Sequence, residues 1–388
     1  MSETSLVFEA NEFRDRTRKL QDRMARHAID ALLLTSAADV FYATGFLTRF
    51  WESPARPWFI VVPSISDPIA IIPSIGEALM ARSWLSDIRT WDAPNPPDDG
   101  LSLLADTLLE LIPNRGKLAV PMGLETHLRM PLADYVALCN RLAPREIVDG
   151  TACIQRVREI KSEAEITKIR NICAIADRAF ARVPEFAKRG HSLSDVFREF
   201  QIACLQEGAD WVSYVAGAAG PEGYADVISP ADDMPLKIGD ILMLDTGAVR
   251  DGYYCDFDRN FSIGPASDTV TQTHRALWYA TEDALSFLHP GLRACDVHQR
   301  LVEGIAKHGA TAAPGRLGHG LGVTLTEWPS FTGLDQTTLQ AGMVLTLEPA
   351  AFTTDGRLLV HEENVVLRDD GAELLTRRAP ENMIEIEI

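Results

Sequence analysis

Several features are missing from this 388-residue chain, and each absence narrows its function. Its six cysteines, Cys139, Cys153, Cys173, Cys204, Cys255 and Cys295, form no CxxC or CxxxC pair. A thiolate metal site and a redox dithiol are therefore not expected. Basic charge is scarce, with 37 Lys and Arg against 55 Asp and Glu and a formal net charge of -18. Nucleic acids and anionic membranes both require a basic footprint, so neither is an expected partner. The opening MSETSLVFEANEFRDR has no basic start followed by an apolar run, so no secretory leader is expected. No stretch is long and apolar enough to span a bilayer. Walker and Rossmann fingerprints are missing too: the glycines of GAAGPEGY and GHGLG open no helix of a βαβ unit. A soluble protein in a reducing, cytoplasmic setting is the expectation.

What is present is an ordinary globular composition, 46% hydrophobic and 24% charged, on a chain long enough for two domains. NEFRDRTRKLQDRMARHAI has helical apolar spacing, and DALLLTS, WFIVVPS and KLAVPM read as strands around a helix at ADTLLELI. These elements suit a small mixed α/β domain at residues 1–154. Ser162 and Glu165 form a capping box opening a helix whose Ile166, Ile169, Cys173 and Ala176 share one face. A second helix, LSDVFREFQIACLQEG, stops at Gly208. Strands at ILMLDTGAV, GVTLTEWP, GMVLTLEPAAF and LLVHEENVVLR then alternate with two more helices. Residues 155–388 are thus expected to be an α+β domain, with helices on one side of a curved, mostly antiparallel sheet.

The chemistry concentrates in four segments of that larger domain. In LMLDTGAVRDGYYCDFDRNF, Asp245 ends an apolar strand, and a turn at Gly252 can return Asp256 beside it. Two neighbouring buried carboxylates are costly without cations or donors; a pair of turn-capping aspartates is the plainer reading. His319, hemmed by Gly318, Gly320 and Gly322, lies where backbone can approach a ligand or a neighbouring strand. Glu348 closes an apolar run, and Glu362 sits within another, a placement that surface decoration does not explain. Four carboxylates and one imidazole make a ligand set suited to manganese, cobalt, zinc or iron.

The order D…D…H…E…E, carried by DTGAVRDGYYCDFDRNF, GHGLG, GMVLTLEP and HEEN, resembles the pita-bread metallopeptidases: aminopeptidase P, prolidase, methionine aminopeptidase and the metal-free creatinases. The match spans roughly residues 160–385, and residues 10–150 resemble the smaller creatinase and prolidase N-terminal domain more loosely. The resemblance implies a pita-bread catalytic domain holding two divalent ions, manganese before cobalt, zinc or iron. Asp245 would chelate one ion, Asp256 and Glu362 would bridge both, and His319 and Glu348 would complete the other's shell. Glu348 and His319 are the candidate catalytic residues, Glu348 as proton shuttle. The resemblance further implies a homodimer, the N-terminal domain of one subunit near the other's active site.

The family pattern breaks in the recognition shell. Accessory histidines are expected near Ile228, at Gly315 and at Thr326, and none is present; the usual DxTRTF ending reads DFDRNF, with Asp258 and Asn260 at the threonine positions. Arg316, Tyr224 and Asp226 are candidate replacements, Arg316 for a substrate carboxylate, Tyr224 and Asp226 for an amine. Arg49, Trp51, Arg56 and Trp58 could lid a partner's pocket or fill a dimer interface. His361 should point away from Glu362 by strand alternation. The leading expectation is an Xaa-Pro dipeptidase or aminopeptidase acting on short substrates. A C–N hydrolase or lyase of a small amidic or zwitterionic metabolite and a catalytically inactive binding protein are the alternatives.

Overall fold

A computed structural model describes residues 7–52, 56–353 and 356–387 of the chain. It divides into two compact units, Met1–Arg158 and Glu159–Ile388. Among the described residues no helix is long and apolar enough to cross a membrane.

The first unit holds one six-stranded mixed sheet, built from β1 (Ala31–Leu34), β2 (Phe59–Pro63), β3 (Ile69–Pro73), β4 (Asp87–Trp91), β5 (Lys117–Val120) and β6 (Glu146–Asp149). The strand order is β4-β3-β2-β1-β5-β6. Strands ALLL, FIVVP and IAIIP are buried along their whole length, because helices leave no face of the sheet centre to solvent. FYATGF lies at the end of a helix: Ser36 caps Ala37–Thr44, and Gly45 at φ +78° ends it. The tryptophan-rich turn near Trp51 includes residues 53–55, which lie outside the described residues.

The second unit begins with the helix Glu163–Ala181, whose capping box closes as the sequence predicts: Ser162 Oγ accepts the Glu165 amide and the Glu165 carboxylate accepts the Ser162 amide. Helix Leu193–Glu207 ends on Gly208 at φ +114°. Then follow β7 (Trp211–Pro221), β8 (Asp240–Arg250), β9 (Tyr253–Tyr254) and β10 (Phe257–Ile263). After helices Asp268–Phe287 and Ala294–Lys307 come β11 (Thr311–Ala312), β12 (His319–Gly320), β13 (Glu327–Ser330), β14 (Val344–Leu347), β15 (Ala350–Phe352), β16 (Leu358–Val360), β17 (Glu363–Arg368), β18 (Gly371–Leu374) and β19 (Ile384–Ile386). Their pairing is antiparallel except for β10 with β19, and they form sheets β19-β10-β8-β7, β11-β15-β16 and β13-β12-β14-β17-β18.

Three strands differ from the sequence-based expectation. The glycine-rich GAAG lies inside β7, paired along β8, where hydrophobic alternation gave no strand signal. GVTLTEWP is strand only from Glu327, because the Glu327 carboxylate accepts the amides of Val323 and Thr324 and curls the preceding loop. LLVHEENVVLR is two strands broken at His361–Glu362, and the same strand pair breaks at Glu348–Pro349.

Candidate metal centre

The site begins with a hairpin. Asp251 at φ +53° and Gly252 at φ +81° make a two-residue turn of the primed kind, which pairs Arg250 with Tyr253. Asp245 lies mid-strand in β8, not at its end, because the strand continues to Arg250. Directly across from it is Asp258; Asp256 falls in the unpaired step between β9 and β10. That irregular step is pinned by Asn364, whose Oδ1 accepts the Asp256 amide at 3.0 Å and whose Nδ2 donates to the Asp256 carbonyl.

His319 enters from β12. Its glycine neighbours serve strand packing: a Cβ on Gly320 would overlap the Trp328 carbonyl, and one on Gly318, at φ +146°, the Thr346 carbonyl. Thr346 Oγ1 accepts the His319 amide at 3.0 Å. Nδ1 lies 2.8 Å from the Gly320 carbonyl, an acceptor only, so Nδ1 carries the proton and the lone pair is on Nε2. Nε2 faces Asp256 Oδ2 at 3.2 Å and Glu348 Oε2 at 4.0 Å. Glu348 and Glu362 come from the two strand breaks, so both are freed from regular pairing.

Asp256, His319 and Glu362 each offer an atom within 4.8 Å of the others, and all three are buried. Asp245 Oδ1 and Glu362 Oε1 are sealed from solvent without a hydrogen-bond partner. Burial, then mutual repulsion, pushes Asp245 and Glu362 well above the carboxylate range, and burial raises Asp256 to about 8. Buried orphan acceptors and unmet negative charge are what a divalent cation satisfies. The donor set of carboxylate oxygens and one imidazole nitrogen fits such an ion.

Other sequence-predicted residues are placed less uniformly. Arg316 is at the cluster: its Nε donates to Glu348 Oε1 at 3.3 Å, and its side chain is 34% exposed. Tyr224 is a core residue, its hydroxyl donating to Asn260 Oδ1 and accepting the Val360 amide; Asp226 is half-buried and caps the turn at Ile228 and Ser229. Tyr224 thereby stands beside Asp258 through Asn260, while the Asp226 side chain is spent on its own turn. Trp58 is 4% exposed, packed on Phe46 and Trp51. Arg129 lies over Trp51 and donates to the carbonyls of Trp51 and Arg56. His361 is buried against Arg378, 3.9 Å from Glu363 Oε1, away from the cluster.

Sequence reasoning missed four supporting residues. Tyr214 on β7 donates its hydroxyl to Asp245. Asn364 stood in the quoted HEEN without a role. Arg259 donates to the carbonyls of Asp258 and Glu362 at 2.7 and 2.9 Å, tying together two acid-bearing segments. Glu363 holds Arg259 and Arg378, each at 3.0 Å, on the face opposite Glu362. Alternation was the available signal: Asp258 and Glu362 on one face, Arg259 and Glu363 on the other.

Such a buried acid–imidazole cluster on an antiparallel sheet belongs to the metal-dependent hydrolases. The family models agree: residues 167–370 match metallopeptidase family M24, and residues 16–160 match the creatinase/prolidase N-terminal domain. This chain belongs to family M24, with the pita-bread fold and the smaller N-terminal domain, and is an enzyme of the hydrolase class. It is 27% identical to a probable dipeptidase PepE of Mycobacterium tuberculosis, over 98% of either chain. The crystal structure of dipeptidase PepE from Mycobacterium ulcerans is similar at a TM-score of 0.84 and 26% identity, covering 98% of this chain and 100% of that one. A recombinant prolidase from Thermococcus sibiricus matches at 0.85 and 25%, covering 96% and 99%.

Proposed function

We propose that this protein is a dipeptidase of the Xaa-Pro type, working with two divalent ions, manganese first among them, in a reducing cytoplasmic setting. The observation that carries the reading is the convergence of Asp256, His319 and Glu362 in a buried cluster. Asp245 and Glu348 complete the ligand set. Divalent cations bound there would supply a water nucleophile near neutral pH and polarise the scissile carbonyl.

The chain's own residues do the rest. His319 keeps Nε2 unprotonated because Nδ1 is committed to the Gly320 carbonyl. Glu348, with 20% of its side chain exposed, is more open than Asp256, His319 or Glu362 and is placed to move a proton to the leaving nitrogen. Arg316 spends Nε on Glu348, which leaves its two terminal nitrogens to fork onto a free C-terminal carboxylate. A carboxylate so close to the scissile bond favours dipeptides over longer chains. The names of the similar proteins, dipeptidase and prolidase, point the same way.

A second reading, hydrolysis of a C–N bond in a small amidic metabolite, is favoured by one observation. No imidazole stands at the three accessory positions: Ile228 is 79% exposed, Gly315 has open space where a side chain would start, and Thr326 lies in the curled loop.

Metal analysis of the purified protein, followed by assay of manganese- and cobalt-loaded enzyme on Xaa-Pro dipeptides, separates the two. About two ions per chain with dipeptide turnover is the expected result. Two ions without it would favour the second reading, and less than one ion after loading would defeat both.

A further inference from the structure

Asp258 stands outside the five-residue ligand set, yet the structure aims it at the same centre. It lies on β10 directly opposite Asp245 on β8. Opposed residues of an antiparallel pair leave the same sheet face, so the two carboxylates are neighbours. Asp258 is 1% exposed. Its Oδ2 accepts from Asn260 Nδ2 at 2.8 Å, and the Glu362 amide also donates to this carboxylate. The acid is thereby held beside two residues of the cluster.

Its second oxygen is the informative one. Oδ1 is buried without any hydrogen-bond partner, as are Asp245 Oδ1 and Glu362 Oε1. Three orphaned carboxylate oxygens on neighbouring acids are not what a scaffold needs, because each leaves a desolvated acceptor unmet. The adjacent guanidinium does not bond to it: Arg259 turns to the other face and pairs with Glu363 at 3.0 Å. Nor does the bond to Asn260 require a carboxylate, since an amide oxygen would accept it equally well.

We propose that Asp258 is a further carboxylate of the metal centre, presenting Oδ1 to a divalent cation beside Asp245 and Glu362. This rests on the metal reading above and deepens it: the centre carries one more negative charge than its five assigned ligands supply. The added charge should bind cations more tightly.

The test uses the full-length protein with Asp258→Asn, which keeps shape and the Asn260 contact, and Asp258→Thr as a second replacement. Manganese binding is titrated calorimetrically, the cobalt-loaded protein is followed by its visible absorption, and the metal-free melting temperature is recorded. Both variants should melt metal-free at or above the wild-type temperature, bind at least one manganese ion about 10–100-fold more weakly, and show an altered cobalt band. Wild-type manganese affinity with an unchanged cobalt band would overturn the proposal, and a lower melting temperature beside unchanged affinity would assign Asp258 to the scaffold. A wild-type protein that binds no divalent ion would instead defeat the metal reading itself.

Discussion

The two units bury their sheets under opposite rules. In the N-terminal unit, β1, β2 and β3 are apolar throughout, and enclosed charges have partners: Arg158 donates to Asp39 at 2.8 Å, and Arg16 to Glu12 at 3.1 Å. In the C-terminal unit, the central strands carry Asp245 and Asp258, the step before β10 carries Asp256, and the break beside β17 carries Glu362, three of the four with an orphaned oxygen. The first sheet is a hydrophobic core that closes on itself. The second is left with unmet charge on one face, while Arg259, Glu363 and Arg378 satisfy the other. Tightly packed structure tolerates such a conflict where function requires it.

The sharpest way to break this contrast is Asp256→Ala or Glu362→Ala. Metal retention should be lost and turnover should fall below detection, more than the ~10–100-fold that outer-shell changes cost. Metal-free melting should hold or rise, because a repelled buried charge has gone. Metal analysis and a thermal scan check both; a collapse of the metal-free fold would make these acids scaffold, like Asp39. Next is Glu363→Ala, which removes the buried carboxylate shared by Arg259 and half-buried Arg378 and should cost about 3–5 kcal/mol in a urea titration. An unchanged midpoint would show that the satisfied face is not what holds the strands. Leu33→Ala, in the fully apolar β1, should cost ~2–5 kcal/mol and leave metal affinity untouched. Coupling to metal affinity would erase the division of labour between the units.

Smaller effects sharpen the picture. Arg316→Ala should raise KM about tenfold with kcat little changed, as for a uniform substrate contact; a fall in kcat alone would place Arg316 with Glu348 in proton transfer. The smallest effect is on pH dependence. Asp256 is raised to about 8 by burial, and Asp245 and Glu362 also lie above their unfolded values near 4. The metal-free folded state therefore binds more protons than the unfolded chain between about pH 4 and 8, and stability declines as pH rises through that window. Buried His274, lowered to about 4 by desolvation, works in the opposite direction below its unfolded value near 6.5. The gap between metal-loaded and metal-free melting temperatures isolates the carboxylates and should widen from pH 5 to 8. A constant gap would show that the acids do not repel.

Much of this molecule was readable in the chain. Ser162 with Glu165, Gly208 and Asp251-Gly252 are local devices, decided by residues within a turn of one another. The proposed ligands Asp245, Asp256, His319, Glu348 and Glu362 also stand out, since acids in apolar runs conflict with their surroundings. The roles of Asn364 and Arg259 were hidden within quoted motifs, and Tyr214 sat in a glycine-rich strand with no alternation to mark it.

The chain's own pattern determined the helices, the turn and the inventory of chemically competent side chains, because dihedral preference and hydrophobic spacing act over a few residues. Only the tertiary structure decided that β8 meets β10 in a register placing Asp258 across from Asp245, and that strands break at Glu348 and Glu362. Register and burial depend on segments about a hundred residues apart, such as Asp256 and Asn364, so no local window contains them.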